Sequence, residues 1–211
     1  LVKEPKIAIT ELQIFTRYPE LPNNTTLTEA LYYSGIVNAA IRRGDFVEMI
    51  THSALVNHGG GLKKVREIVY ADPVYYARKL YATKSIGKFP VKVSVKTPTF
   101  DVPRLYNLPE VKDVPYVDAV AFLSKDNKTL LIIISNRKPD EPLKAKINLR
   151  DFNAQEKVET ETLSGPSYMS TNSWENPDIV KTVKSEIYAS KNELEYVFPA
   201  HSVTALSFTA K

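Results

Sequence analysis

A carboxylate stands at the end of the first apolar segment of the chain. Glu11 directly follows the apolar run 7–10, and the aromatic residues Phe15 and Tyr18 lie in the loop beyond it. Burying a carboxylate at the end of a core strand costs free energy unless the charge is paired. In parallel α/β folds, catalytic residues lie at the carboxyl ends of the strands. The position of Glu11 alone therefore fits a catalytic carboxylate but favours a surface carboxylate at a strand end, and further pattern along the chain is needed to choose between them.

A second candidate follows the next apolar segment. His52 ends a predicted strand over 46–52, so it is expected at the same edge of a parallel sheet as Glu11. A histidine there either faces a catalytic cleft or lies in the core and bonds a backbone carbonyl, and the sequence leaves both open. The glycines at 59–61 lack the Lys-Ser/Thr ending of a phosphate-binding loop. We interpret them as a tight turn near the pocket.

The elements that would position these residues alternate between strand and helix up to about residue 86. The pattern predicts strands over 6–14 and 46–52, a helix over 26–44 and a second helix from 72 to about 82. Thr26 and Glu29 have the spacing of a capping box, in which each side chain satisfies a free backbone N–H of the other residue. Asp72 followed by Pro73 is typical of a helix start.

From about residue 91 the pattern changes to short alternating runs separated by turn-forming residues. The predicted strands cover 91–95, 117–123, 129–135, 145–149, 158–163, 194–198 and 203–208. Several short strands at this spacing predict an antiparallel β-sandwich. We therefore place a domain boundary after residue 88, with an α/β part over 1–88 and a sandwich over 89–211.

Two βα units form a sheet whose edges and apolar faces would stay uncovered. A complete (β/α)8 barrel takes roughly 250 residues. We therefore expect residues 1–88 to be the last two βα units of such a barrel, completed by an upstream part of the same protein or by a partner chain. A small independent α/β layer packed on the sandwich is the alternative. The chain begins with Leu1 rather than Met, which fits a segment of a longer protein.

The composition argues against several classes of function. The net charge is only +4 and the basic residues are scattered, so a nucleic-acid partner is not expected. No apolar stretch reaches the roughly 18 residues that a membrane span requires. Cysteine is absent, which excludes disulfides and thiolate nucleophiles, and no metal-ligand spacing or cofactor motif is present. The compartment stays open, with an extracellular location slightly favoured over the cytoplasm.

Short segments in both halves of the chain carry a family likeness. They read ITE (9–11), LYYSG (31–35), RRGDFVEM (42–49), ALVN (54–57), LSGP (163–166), NSWENP (172–177) and PAHSVT (199–204). In order and spacing they resemble glycoside hydrolase family 51, the α-L-arabinofuranosidases. The likeness covers nearly the whole chain.

The resemblance implies a (β/α)8 barrel followed by a β-sandwich, and hydrolysis of terminal arabinofuranosyl groups with retention of configuration; the absence of a cofactor motif predicts that no cofactor takes part. It implies that Glu11 is the nucleophile at the end of the seventh barrel strand. The general acid/base would be a Glu at the end of the fourth strand, upstream of this chain. Retaining hydrolysis needs two carboxyl groups about 5–5.5 Å apart, so the isolated chain is expected to be inactive. The expected partners are an arabinose-containing carbohydrate and the upstream part of the barrel, with a homo-oligomer also allowed.

The resemblance also bears on substrate binding. Asn57 matches the Asn of the family's Leu-Val-Asn segment, where it either contacts sugar or, as we favour, holds a loop. Phe15 is a candidate sugar-stacking wall, with ordinary packing as the alternative. Ala54 stands where many members carry a sugar-contacting Gln, so one hydroxyl contact is missing or comes from another residue such as His52. Two other functions stay open: a related retaining barrel glycosidase of the xylosidase or endoglucanase type, and a non-catalytic carbohydrate-binding sandwich.

Overall fold

The computed structural model of the protein describes residues 4–190 and 192–211. These residues are mostly β-structure, with two helices. The helices are α1 (Leu27–Arg42) and α2 (Pro73–Lys84). The strands are β1 (Ile7–Ile9), β2 (Val47–Ile50), β3 (Leu62–Val65), β4 (Ile68–Ala71), β5 (Lys88–Val91), β6 (Thr99–Val102), β7 (Val111–Pro115), β8 (Val117–Ser124), β9 (Thr129–Asn136), β10 (Leu143–Asn148), β11 (Ala154–Ser164), β12 (Lys181–Tyr188), β13 (Glu193–Phe198) and β14 (Ser202–Ala210).

A six-stranded antiparallel sheet forms the centre of the molecule, in the order β12-β11-β14-β9-β8-β5. The antiparallel pair β10–β13 packs on one face of it. Side chains from the two layers interdigitate, including Phe198 from β13 and Phe208 from β14, which are 1% and 0% exposed. The predicted C-terminal β-sandwich is therefore confirmed.

Both helices cover the opposite face of the same sheet. Leu27 of α1 and Leu80 of α2 share a buried cluster with Ile133 of β9 and Leu163 of β11. The alternating apolar residues of β9 thus serve two cores, one on each side of the sheet. Among the described residues, neither helix combines the length and apolarity that crossing a membrane requires.

The parallel pair β1–β2 forms a separate small sheet. Ile9 lies opposite Ile50, and α1 provides the crossover between the two strands. The pair is largely exposed, with Ile7 at 43% and Met49 at 46%, so the expected buried strand over 6–14 is shorter and more open than predicted. The described residues contain this one parallel pair and no closed barrel.

The predicted capping box is wrong. Thr26 is the N-cap of α1 but makes no side-chain cap bond, because its hydroxyl donates to the Asn23 carbonyl at 2.8 Å. The Glu29 side chain is fully buried and turns inward rather than back to the N-cap. It accepts the backbone N–H of Ile14 at 2.6 Å, so it anchors the loop after β1 instead.

Several strands escaped prediction because they lack apolar alternation. The polar stretch after residue 61, for which no strand was predicted, contains the hairpin β3–β4, and β6, β7 and β12 were also missed. β12 is an edge strand with six of its eight residues exposed, so its sequence carries little hydrophobic signal. The strand predicted at 91–95 is β5, shifted to Lys88–Val91, and α2 runs on to Lys84 instead of ending at about 82.

Candidate active site

Glu11 lies two residues beyond the end of β1, in an exposed position. One of its carboxylate oxygens, Oε1, accepts two hydrogen bonds. Gln13 Nε2 donates from 3.1 Å and Ser53 Oγ donates from 3.0 Å. Because β1 and β2 are parallel neighbours, the residues after each strand meet at one edge, and this brings Ser53 to Glu11. The Glu11 carboxylate is therefore held at the edge of the sheet formed by the ends of β1 and β2, as predicted.

Two more side chains extend this group. Asn24 Nδ2 donates to Gln13 Oε1 at 3.2 Å, which orients the Gln13 amide with its nitrogen toward Glu11. On the other side, Ser53 Oγ is in hydrogen-bond contact with His58 Nδ1. We call these five residues, Glu11, Gln13, Asn24, Ser53 and His58, the Glu11 cluster.

The glycine loop packs directly against the Glu11 cluster. A Cβ on Gly59 would lie 1.9 Å from Gln13 Oε1, so the Gln13 amide occupies the space that a side chain at 59 would fill. The loop is tied to α2 by Arg78, whose Nη1 donates to the Gly60 carbonyl at 2.6 Å. The interpretation of the glycines as a tight turn agrees with this packing, and the turn lies beside the Glu11 cluster.

A buried charge sits beneath the same loop. Lys63 Nζ donates to the His58 carbonyl at 3.1 Å and pairs with Asp72 at 3.4 Å. Burial raises the pKa of Asp72 to about 6, and the Lys63 ammonium opposes that rise. Lys63 thus links the loop that carries His58 to the start of α2.

His52 lies inside the fold rather than at its surface. Its ring is 0% exposed, and Nε2 lies 3.2 Å from Oε1 of the equally buried Glu29. Glu29 Oε2 accepts the Ile14 N–H, so the pair connects α1, the end of β2 and the loop that follows Glu11. This placement argues against direct contact between His52 and a sugar, and it also differs from the expected core histidine bonded to a backbone carbonyl.

Asn57 and Phe15 have different surroundings. Asn57 has a positive φ of 57°, its Nδ2 donates to the Lys64 carbonyl at 3.2 Å, and its Oδ1 accepts the Lys64 N–H at 2.7 Å. These bonds brace the start of the β3–β4 hairpin. Phe15 is 79% exposed and Ala54 is also exposed. The structure thus leaves Phe15 open to a ligand and gives Asn57 a loop-holding contact.

Sequence reasoning missed Gln13 and Ser53 as partners of Glu11, and His58 as the partner of Ser53. The order of the elements contained a usable signal, because parallel strands ending at Ile9 and Ile50 must bring residues 11–13 near residue 53. The five-residue spacing from Ser53 to His58 carried no such signal, since it depends on the path of the glycine loop. Chemically, the Glu11 cluster offers one oriented carboxylate, which suffices for a nucleophile and is half of the pair used in retaining glycoside hydrolysis.

A family model described as the α-L-arabinofuranosidase C-terminal domain matches residues 11–202 of the chain. Among solved structures, an α-L-arabinofuranosidase from Thermotoga maritima in an arabinose complex is 27% identical with a TM-score of 0.84, over 96% of this chain and 42% of that one. The family 51 α-L-arabinofuranosidase from Thermotoga petrophila RKU-1 is 26% identical with a TM-score of 0.85, over 96% and 43% of the two chains.

A more distant structure, the family 51 arabinofuranosidase from Xanthomonas axonopodis pv. citri, shares the fold at 18% identity with a TM-score of 0.81, over 97% of this chain and 41% of that one. No curated protein matches the chain. In each of these three structures the chain spans less than half of the length of the protein it matches.

Proposed function

The chain belongs to the family of the α-L-arabinofuranosidase C-terminal domain, and from this premise we propose that it forms the C-terminal part of a retaining α-L-arabinofuranosidase with Glu11 as nucleophile. The proposed substrates are terminal arabinofuranosyl groups of polysaccharides or oligosaccharides. In the first half of a double displacement, a Glu11 oxygen attacks the anomeric carbon while an acid protonates the leaving oxygen. In the second half, water displaces the enzyme carboxylate and the configuration is retained.

The observation that carries this proposal is the state of the Glu11 carboxylate. Oε1 is fixed by Gln13 and Ser53, and the residue as a whole is exposed beyond the end of a parallel strand. A carboxylate that is fixed by two donors yet open on its other side is suited to attack a bound sugar, because its orientation costs little further entropy. A carboxylate that served only as a surface charge would not need a packed glycine loop behind one of its donors.

The same proposal requires a barrel that this chain completes. β1 and β2 are parallel with α1 as their crossover, and apolar side chains such as Ile7 and Met49 are left open. The two Thermotoga proteins are longer than this chain, which covers 42% and 43% of them. We therefore propose that an upstream part of the same protein covers the exposed faces and edges of β1 and β2. The same upstream part would supply the general acid/base. In this proposal residues 1–88 are the last barrel units and residues 89–211 the sandwich.

The proposed substrate contacts are revised by the burial of each side chain. Phe15 is kept as a candidate wall of the sugar pocket because it is 79% exposed. Asn57 is assigned the loop-holding role through Lys64. His52 is assigned the role of fixing the loop after Glu11 through Glu29 rather than touching sugar. Ala54 has no hydrogen-bonding side chain, so the hydroxyl contact that the resemblance implies for Gln in other members is either missing here or comes from another residue.

The test uses the full-length protein and an aryl α-L-arabinofuranoside, with the matching aryl β-xyloside as the competing substrate. We expect Glu11→Ala to lose nearly all turnover and Glu11→Gln to behave alike, since neither can form the covalent glycosyl-enzyme. Azide, a small anionic nucleophile, should restore turnover in Glu11→Ala and yield a glycosyl azide of inverted configuration. Unchanged turnover in Glu11→Ala would reject the role of Glu11, and a preference for the xyloside would favour the related barrel glycosidase.

A second measurement tests whether residues 1–211 alone contain both catalytic carboxyl groups. Isolated residues 1–211 should not cleave the aryl arabinofuranoside, because the second carboxyl group is not in this chain in the proposed mechanism. Turnover by the purified fragment would contradict the assignment of the acid/base to the upstream part.

A further inference from the structure

The Ser53 hydroxyl lies between two groups that constrain where its single proton can go. Ser53 Oγ is 3.0 Å from Glu11 Oε1 and in hydrogen-bond contact with His58 Nδ1. An ionised carboxylate can only accept hydrogen bonds, whereas a neutral imidazole nitrogen either donates or accepts depending on the tautomer. Ser53 has one proton, so both contacts are hydrogen bonds with Glu11 as the acceptor only if His58 Nδ1 carries a proton and donates to Ser53.

The opposite tautomer would break the arrangement. If His58 Nδ1 were the acceptor, the Ser53 proton would point at the imidazole and the Ser53 lone pairs would face Glu11 Oε1. Glu11 would then lose one of its two donors and gain a repulsive contact. The orientation of the Ser53 proton is thus decided by His58, five residues away along the chain.

The two carboxylate oxygens of Glu11 differ as a result. Oε1 accepts from Gln13 Nε2 and Ser53 Oγ, while among the residues that the structure describes Oε2 has no hydrogen-bond donor. A hydrogen bond to an oxygen draws electron density toward the donor and lowers its nucleophilicity. Oε2 is therefore the more reactive of the two and the one free to approach an anomeric carbon.

Resting on the proposed function, we propose that His58 is a positioning residue for the nucleophile: its Nδ1–H fixes the Ser53 hydroxyl as a donor to Glu11 Oε1 and so presents Oε2 for attack. Two neighbours hold the loop and the Gln13 amide in place around this arrangement. Lys63 Nζ binds the His58 carbonyl at 3.1 Å and fixes the backbone of the loop, and Gly59 leaves room for the Gln13 amide on the other side of Oε1. His58 acts through Ser53 and does not touch the substrate.

The experiment compares two nearly isosteric replacements in the full-length protein. In His58→Asn the side-chain amide can donate to Ser53 from about the place of Nδ1, whereas in His58→Asp the carboxylate can only accept and would turn the Ser53 proton away from Glu11. With an aryl α-L-arabinofuranoside, we expect His58→Asn to keep kcat within about threefold and His58→Asp to lower it about tenfold or more, with little change in KM.

The same pair is then measured in a Ser53→Ala background. If His58 acts through the Ser53 hydroxyl, the difference between Asn and Asp should shrink to less than about twofold there. Equal kcat for the two variants in the native background would overturn the proposal. So would a tenfold difference that persists without Ser53, because it would show direct repulsion of Glu11 by the new charge.

Separate controls test whether each variant folds and whether Glu11 is the nucleophile. The Tm of each variant is measured, and if His58→Asp does not fold, His58→Glu and His58→Gln replace the Asp and Asn variants. The carboxylate of His58→Glu can only accept from Ser53, so its kcat should again be the lower of the two. Equal kcat for His58→Glu and His58→Gln would then overturn the proposal. Glu11→Ala is run beside them: if it retains turnover the proposed nucleophile is wrong, whereas its inactivity together with equal His58 variants rejects only the role of His58.

Discussion

Asp118 on β8 accepts a hydrogen bond from Arg42, the last residue of α1, with Nη1 2.7 Å from Oδ1. The same carboxylate receives Arg137 Nη2 at 3.0 Å and Asn38 Nδ2 at 3.2 Å, and Asp118 is only 7% exposed. The helix that crosses between β1 and β2 is thereby tied to the central sheet by charge as well as by apolar packing. The sheet thus sets the position of the scaffold on which Glu11 is held.

Replacing Asp118 with Asn should destabilise the protein by about 2 kcal/mol. Two guanidinium groups would lose their anionic partner, but Arg42 is half exposed, so water offsets part of the loss. Urea unfolding of the purified protein measures the effect as a lower midpoint with an unchanged m value.

The control for Asp118 is Asp178→Asn. Asp178 pairs with Lys181, three residues further along the chain, and both side chains are at least half exposed. Exposed pairs of this kind contribute about 0–1 kcal/mol. An equal loss of stability in both variants would show that the buried position of Asp118 adds nothing.

The sequence predicts an element well when its signal is local, and poorly when the contacts that matter join residues far apart along the chain. β8 and β9 were located to within a residue because both carry long apolar runs and a turn separates them. Glu29 was misassigned because a capping box is a local pattern, whereas its actual partners, Ile14 and His52, are 15 and 23 residues away. The position of Glu11 after a strand was predicted, but the donors that orient its carboxylate depend on the tertiary path of the glycine loop, which no local pattern encodes.

Two adjacent glycines in this loop should respond differently to substitution with Ala. A Cβ on Gly60 would lie 2.3 Å from Leu55 Cα and 2.4 Å from the Ala54 carbonyl oxygen, so the backbone itself must move. A Cβ on Gly59 would meet Gln13 Oε1, the end of a flexible side chain that can rotate away. We expect Gly60→Ala to cost about 2–3 kcal/mol of stability, and Gly59→Ala to cost well under half of that.

The activity of Gly59→Ala should fall even though its stability is nearly native. In Gly59→Ala the displaced Gln13 amide no longer donates to Glu11, so kcat should fall about tenfold in a protein of nearly native Tm. Both Tm and kcat of the full-length variants are measured in one buffer. A native kcat in Gly59→Ala would mean that Gln13 does not orient the nucleophile.

Asp72 predicts a dependence of stability on pH. Its pKa is raised from 3.8 to about 6 by burial, so the folded state holds the proton more tightly than the unfolded state does. Stability from this group is present at low pH and is lost as pH rises from about 4 to about 6. The Asn of Asp72→Asn is uncharged at every pH and still suits the N-cap of α2. The Tm of this variant minus the Tm of the native protein should therefore rise between about pH 4 and pH 6 and stay constant above that.

The matched control for the pH experiment is Asp126→Asn. Bonds from the Ser124 hydroxyl and the Lys128 N–H lower the pKa of Asp126, so its contribution is lost as pH falls instead. The two variants should therefore differ from the native protein with opposite signs of pH dependence. The same sign for both would contradict the assignment of burial as the cause at Asp72.

The β6–β7 hairpin contacts the loop that follows Glu11. Tyr106, in the loop between β6 and β7, stacks on Tyr18 with ring centroids 4.0 Å apart, and its hydroxyl donates to Glu20 at 3.0 Å. Aromatic pairs of this kind contribute about 0.5–1.5 kcal/mol. We expect Tyr106→Ala to lower kcat/KM for an aryl α-L-arabinofuranoside by about two- to tenfold, because the loop beside the candidate pocket loses its brace.

Two further variants separate the ring from the hydroxyl and test the pairing. Tyr106→Phe keeps the stack and loses only the bond to Glu20, so its kcat/KM should stay within about twofold of the native value. Tyr18→Ala should produce the same loss as Tyr106→Ala, and the double variant should lose little more than either single one. Additive losses in the double variant would show that the two rings act independently, and the contact between the β6–β7 hairpin and the loop would then have no bearing on catalysis.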